Sequence, residues 1–382
     1  MNKALELESP YGAEALQALV TRFGSPLFVI DCDVIRHQYH ALESALPSVD
    51  LHYALKPLPN ATVVQALARE GCWFDLATNG EIDVVRSAGI PAARCIHTHP
   101  IKRDSDIRHA LDYGVTTFVV DNPEEIAKFV IYRERVRLLL RVAFRSPEAI
   151  VDLSRKFGCD RRAAIALLER AQEGGIRVAG LSFHVGSQVA SPDMYVEAIN
   201  TCRNLIAEAR KRGSPPLEEL DIGGGFPIDY LVPVPAIDEF CAPIRTALAR
   251  LPRGLRIIAE PGRYICGPAA ISLATVMGRA KRDDRWWYYL DDGIYGTFSG
   301  QHYDHSRFPI DPVQGRDRPR FPCVIAGPTC DSVDVIAEDI SLPELEIGEL
   351  LIARQVGAYT ISTATDFNFF PRAKAIAVNV DA

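Results

Sequence analysis

Lys56 directly follows an apolar run, Leu51-His52-Tyr53-Ala54-Leu55, that reads as a β-strand. A lysine at a strand end can be desolvated, which favours the neutral amine able to form Schiff bases with carbonyl compounds. His184 ends a second apolar run, Val178 to Phe183, where an imidazole could serve as a base, a metal ligand or a stacking platform. In Asp221-Ile222-Gly223-Gly224-Gly225-Phe226-Pro227, three glycines after a strand let the backbone approach a ligand closely, and their N–H groups can cradle a phosphate. No Gly-Lys-Ser/Thr follows, and Pro227 comes too soon for a Gly-rich loop that opens a helix. In Glu260-Pro261-Gly262-Arg263 a rigid Pro-Gly separates a carboxylate from a guanidinium, whose planar fork suits phosphate. In Gly327-Pro328-Thr329-Cys330-Asp331-Ser332-Val333-Asp334 a cysteine stands beside a carboxylate, which suits proton donation better than a resting thiolate. Each motif alone also has a plain structural explanation: a surface lysine, a satisfied core histidine, a tight turn, an ion pair, an inert cysteine.

The elements that must position these groups alternate. Strand-like runs at 26–30, 51–55, 73–76, 117–120, 137–142, 178–183, 219–222 and 256–259 are separated by helical stretches such as 33–46, 61–70 and 80–88. Alternation of this kind implies βα units and a parallel sheet. About eight such units in roughly 240 residues match the size of a (β/α)8 barrel, although an open α/β sheet shares the local pattern. In such a barrel the functional groups collect at the C-terminal strand ends, where Lys56, His184, the glycines and Glu260 all fall. After about Gly267 helices become scarce. Runs at 286–290, 323–326, 350–353 and 375–380 read as strands of an antiparallel domain, and the polar, proline-containing segment 309–319 reads as a loop. The expected organisation is a barrel over 27–267, with 1–26 and 268–382 forming an antiparallel β-barrel or sandwich.

The composition excludes several classes. A net charge of −7 and a sequence pI near 5.8 argue against nucleic-acid binding. No apolar run is long enough for a bilayer, and the acidic segment Met1 to Glu8 lacks a signal-peptide core, so a cytoplasmic location is expected. The nine cysteines include no C-x-x-C pair, so neither a zinc site nor a disulfide framework is expected, and no metal is assigned.

Taken together and in this order, the motifs resemble those of the fold-type III pyridoxal-phosphate (PLP) decarboxylases, the alanine-racemase-like barrel enzymes. Within them the likeness is nearest to the ornithine decarboxylase group, and it spans about Pro26 to Phe369. Tyr53-Ala54-Leu55-Lys56 resembles the family's Y-A-[VL]-K, so the resemblance implies that Lys56 carries PLP. It further implies that His184 stacks on the pyridine ring and that Glu260 pairs with the ring nitrogen. Ser187, Gly224, Gly225, Gly262, Arg263 and Tyr359 would hold the phosphate side, with Asp75 and Arg141 close to Lys56 and the cofactor hydroxyl. Cys330 would act as the proton donor and reach a neighbouring subunit's barrel, because active sites of the family lie at a homodimer interface. Tyr303, Asp304, Cys330 and Asp331 would contact the substrate, the two aspartates gripping its distal ammonium.

The implied reaction is decarboxylation of a basic L-amino acid, L-ornithine to putrescine first and L-lysine to cadaverine second, in polyamine biosynthesis. Related diaminopimelate decarboxylases typically carry Glu after the cysteine; Asp331 tilts the reading to a simple diamino acid. Alternatives are the same chemistry on arginine, diaminopimelate or an ornithine-containing conjugate, and, more distantly, a non-catalytic PLP-binding regulator. The chain departs from the family at Pro57-Leu58-Pro59-Asn60, at Gln188, and at Asp366-Phe367-Asn368-Phe369-Phe370, where F-N-G-F is usual.

Overall fold

Eight strands close into a parallel barrel in the computed structural model, which describes residues 11–144 and 156–380. The N-terminal ten residues assigned to the β domain from sequence lie outside the described residues. The chain divides into two compact units: 36–227 with 234–265, and 1–35 with 228–233 and 266–382.

The strands in chain order are β1 (Leu27–Asp31), β2 (Asp50–Ala54), β3 (Trp73–Leu76), β4 (Cys95–His97), β5 (Thr117–Val120), β6 (Arg137–Val142), β7 (Val178–Phe183), β8 (Glu219–Asp221) and β9 (Arg256–Ala259). β2 to β9 form the barrel, each pairing in parallel with the next and β9 with β2. This corrects the sequence reading in two places. The run at 26–30 was counted among the barrel strands, but β1 pairs antiparallel with the strand beginning at Ala270 and parallel with a C-terminal strand. The missing barrel strand is β4, three residues long and flanked by Arg94 and Thr98, too short to show as an apolar run.

Side chains alternate across a strand, so residues two apart share a face. Ile96, Val119, Leu139, Ala179 and Ile258, from five different barrel strands, pack into one buried cluster. Two positions further along four of these strands stand Thr98, Asp121, Arg141 and Glu260, the counterpart in β7 being Leu181. An apolar layer thus underlies a polar layer at the C-terminal strand ends.

The second unit is built on a mostly antiparallel eight-stranded sheet. Its further strands are β10 (Ala270–Arg282), β11 (Arg285–Leu290), β12 (Ile310–Pro312), β13 (Arg320–Ala326), β14 (Val335–Pro343), β15 (Leu350–Ala353) and β16 (Lys374–Val378). The order is β12-β15-β10-β11-β13-β14, with β1 joined to β10 and β16; only β1–β16 and β11–β13 are parallel. β12 lies within the segment expected to be a loop, and the thirteen-residue β10 was not recognised in the sequence. Leu16, Leu27, Val29, Leu273, Val313, Leu350 and Ile352 form a core of this unit. Among the described residues no helix is long and apolar enough to cross a membrane, and no group of three metal-ligating side chains occurs.

Candidate active site

Lys56 is placed by the short segment after β2. Tyr53 Oη donates to Leu58 O at 3.1 Å, and Asn60 caps the next helix by accepting from the N–H groups of Thr62 (2.9 Å) and Val63 (3.2 Å). Pro57 packs on Gly262, where a Cβ would come within 2.8 Å of the proline ring. The departure Pro57-Leu58-Pro59-Asn60 is therefore a rigid spacer between the lysine and a capped helix. Lys56 Nζ lies 3.2 Å from Asp75 Oδ2; the lysine side chain is 39% exposed, the aspartate 1%. The other oxygen, Asp75 Oδ1, accepts a hydrogen bond from Thr98 Oγ1.

Opposite in character is the carboxylate group at β8 and β9. Asp221 is fully buried, and accepts from Ser182 Oγ (2.9 Å) and Gly223 N–H (2.8 Å). Its charge lies close enough to Glu260 to act on it. Burial pushes the Glu260 carboxyl well above the usual range; the Asp221 and Asp75 carboxylates add to this and the Lys56 cation opposes it. Burial raises Asp221 as well. Glu260 Oε1 is buried without a hydrogen-bond partner, a costly state that a ligand donor would relieve.

His184 Nδ1 accepts from Gly186 N–H at 3.1 Å, which leaves Nε2 to carry the proton of the neutral ring. Burial, with the Arg141 and Lys56 cations, holds this imidazole well below its ordinary value, so it stays neutral. For Arg141 burial works against the charge, while the carboxylates of Glu260, Asp221, Asp121 and Asp75 support it.

Gly224 and Gly225 are fixed by crowding. A Cβ on Gly224 would lie 2.5 Å from Glu260 O and 3.3 Å from His184 Nε2, and one on Gly225, at φ +114°, 2.3 Å from Gly186 O. Arg263 is buried and donates through Nη2 to Ser187 Oγ at 2.9 Å. A phosphate binder needs such a combination of close backbone and a guanidinium.

These groups fit PLP: an amine nucleophile beside a carboxylate, an orphaned buried carboxylate oxygen for a ring nitrogen, a flat neutral imidazole, and a glycine cradle with an arginine for the phosphate. Comparison with known proteins agrees. Residues 32–267 match the family described as pyridoxal-dependent decarboxylase, pyridoxal binding domain. The chain belongs to this family. It is 36% identical over 365 residues to the lysine/ornithine decarboxylase of Selenomonas ruminantium, covering 94% of this chain and 91% of that protein. Crystal structures of lysine/ornithine decarboxylase from Vibrio vulnificus, complexed with putrescine and with cadaverine, are 54% and 55% identical. Both superpose with a TM-score of 0.93, covering 98% of this chain and all of that one. The chain is thus a PLP-dependent carboxy-lyase, with the barrel and second sheet domain expected of it.

The remaining sequence-derived residues belong to the second unit. Cys330 is the one exposed cysteine of the nine, and its N–H donates to Asn368 Oδ1 at 3.0 Å. Asp331 accepts from Tyr295 Oη through Oδ2 and from Val333 N–H at 3.1 Å through Oδ1, and these bonds hold its carboxyl below the usual range. Tyr303, 58% exposed, ends a short helix, and Asp304 caps it while accepting from Ser306 Oγ at 3.0 Å. Tyr359 takes a left-handed φ of 57°. Asn368 and Phe369 do the same at 54° and 57°, which accounts for glycine as the family's usual residue where Phe369 stands.

Several organising residues were missed. Asp334, only 2% exposed, accepts from Thr329 N–H (3.0 Å), Thr329 Oγ1 (2.7 Å) and Ile294 N–H (2.9 Å), and so shapes the loop that carries Cys330. In the sequence it only ends the motif that begins at Gly327. Ser182 and Asp221 sit on neighbouring strands in register, a pairing that needs the sheet order. Thr98 follows the unrecognised β4.

Proposed function

We propose that the chain converts L-ornithine to putrescine and L-lysine to cadaverine. Asp331, bonded to Tyr295 immediately after Cys330, carries this reading: a distal ammonium needs acceptors when it leaves water. Relatives more than half identical are complexed with the two diamines. Bound PLP supplies the electron sink for the carbanion left at Cα when CO2 departs.

The chain's own residues do the rest. Glu260, through its orphaned oxygen, would face the pyridine nitrogen and hold a proton there. His184, a neutral imidazole, would hold the ring in one orientation. Arg263, Ser187, Gly224, Gly225 and Tyr359 bind the phosphate. Asp75 orients the Lys56 amine. Cys330 delivers the proton to Cα, and Asp304 and Asp331 receive the distal ammonium. The protein works as a homodimer in the cytoplasm, the loop bearing Cys330 serving the partner's barrel.

The test is CO2 and amine release by the purified PLP-loaded protein with ornithine, lysine, arginine and diaminopimelate offered separately. Putrescine and cadaverine are the expected products. Turnover of arginine or diaminopimelate in preference to both would overturn the substrate assignment.

A further inference from the structure

Thr98 has no part in the reaction as derived above, yet its hydroxyl donates to the buried carboxylate that faces Lys56. We infer that Thr98 is a positioning residue for Lys56, acting through Asp75. The inference rests on the reading of Lys56 as the cofactor-bearing lysine.

Asp75 is 1% exposed, so its charge must be compensated by the protein. Two donors face its two oxygens: Lys56 Nζ at Oδ2 and Thr98 Oγ1 at Oδ1. They differ in kind. Lys56 loses N–H donors when its nitrogen forms an imine, whereas the threonine hydroxyl remains a neutral donor throughout. Thr98 therefore keeps Asp75 in one orientation while Lys56 is otherwise occupied.

The turn that carries Thr98 is unusually well fixed. Thr98 N–H continues the barrel ladder by donating to Leu76 O at 2.9 Å. The two residues that follow are clamped by Lys102, whose Nζ donates to His99 O (2.7 Å), Pro100 O (3.0 Å) and Val119 O (2.7 Å). The Lys102 side chain is 1% exposed, with Glu125 at 3.9 Å. A buried lysine spent on three carbonyls costs desolvation, and the clamp fixes the hydroxyl next to it.

The experiment measures Lys56 itself. The cofactor-free full-length chain is pulse-labelled with formaldehyde and cyanoborohydride across a pH series, and Lys56 methylation is quantified by mass spectrometry. In Thr98→Val, which keeps the shape and removes the hydroxyl, the less compensated carboxylate pulls harder on the ammonium. The reactive amine then appears at higher pH, and labelling at a fixed pH below the transition slows by about three- to tenfold, the worth of one hydrogen bond. The visible absorbance of the PLP-loaded enzyme shifts its pH dependence in parallel, and Thr98→Ser restores both. If the valine variant does not fold, Thr98→Ala is compared with Thr98→Ser in its place. Labelling curves that superimpose on wild type, or a serine variant displaced as far as the hydroxyl-free one, would overturn the inference. Because labelling needs neither substrate nor cofactor, a wild type that releases no amine would remove the substrate assignment and leave this test standing.

Discussion

The barrel site and the Cys330 loop are built on opposite plans. In the barrel, Asp75, Asp221, Glu260 and Arg263 are all buried, and Asp75, Asp221 and Arg263 are held by side chains from other βα units. In the second unit Cys330 and Tyr303 are exposed, and the buried Asp334 anchors the loop before Cys330 through Thr329. The first plan suits a cofactor that stays, because interlocked buried groups are pre-organised and reorganise little. The second suits a surface that engages a substrate which must come and go.

The largest expected effect breaks the barrel half while sparing the other. Lys56→Ala should reduce turnover by at least about four decades by removing the nucleophile. Mixing it with Cys330→Ala should restore part of the activity if the two halves serve each other between subunits; a mixture as inactive as its components would sink the shared-site proposal. Asp331→Ala should come next, lowering kcat/KM for ornithine by about two to four decades while PLP absorbance stays intact. A loss below about tenfold would remove Asp331 from substrate binding.

The third effect concerns stability of the barrel. His52 in β2 is fully buried, and burial, helped by Arg256, lowers it from 6.5 to about 4. A folded value below the unfolded one means stability complete above pH 6.5 and lost as pH falls toward 4. Glu81 and Asp292, raised by burial to about 7 and about 6, act in the opposite sense, losing stability as pH rises through those values. The difference between wild type and His52→Gln isolates the histidine, and should change by about 2–3 kcal/mol in the variant's favour from pH 7 to pH 4 in denaturant titrations. A constant difference would mean that His52 titrates normally. The smallest effect is in the second unit. Phe369 is 93% exposed at a left-handed φ, so Phe369→Gly should raise stability by about 1 kcal/mol. A fall would show that the ring is packed against something in solution.

Much of the barrel site was legible because its residues stand at strand ends next to apolar runs, as Lys56 does after Leu55 and His184 after Phe183. Crowding explains the glycines, and their spacing announced it. Thr98 was hidden because its strand has three residues and no apolar run. Asp221 stood in a quoted motif, but its bond to Ser182 depends on which strands are neighbours, information that local pattern does not hold. For the same reason β1 was placed in the barrel: a five-residue buried strand reads alike in either sheet, and only its pairing distinguishes them.

That pairing bears on synthesis. Phe28 meets Ala375 across β1 and β16, and Ser272 on its other side. The ribosome delivers every residue of the barrel before either partner of β1 exists in full. Until then Leu27-Phe28-Val29-Ile30 is an apolar strand with two open edges, the kind of segment that recruits other chains. The pairing of β1 with both partners can therefore be completed only after the whole barrel has been synthesised.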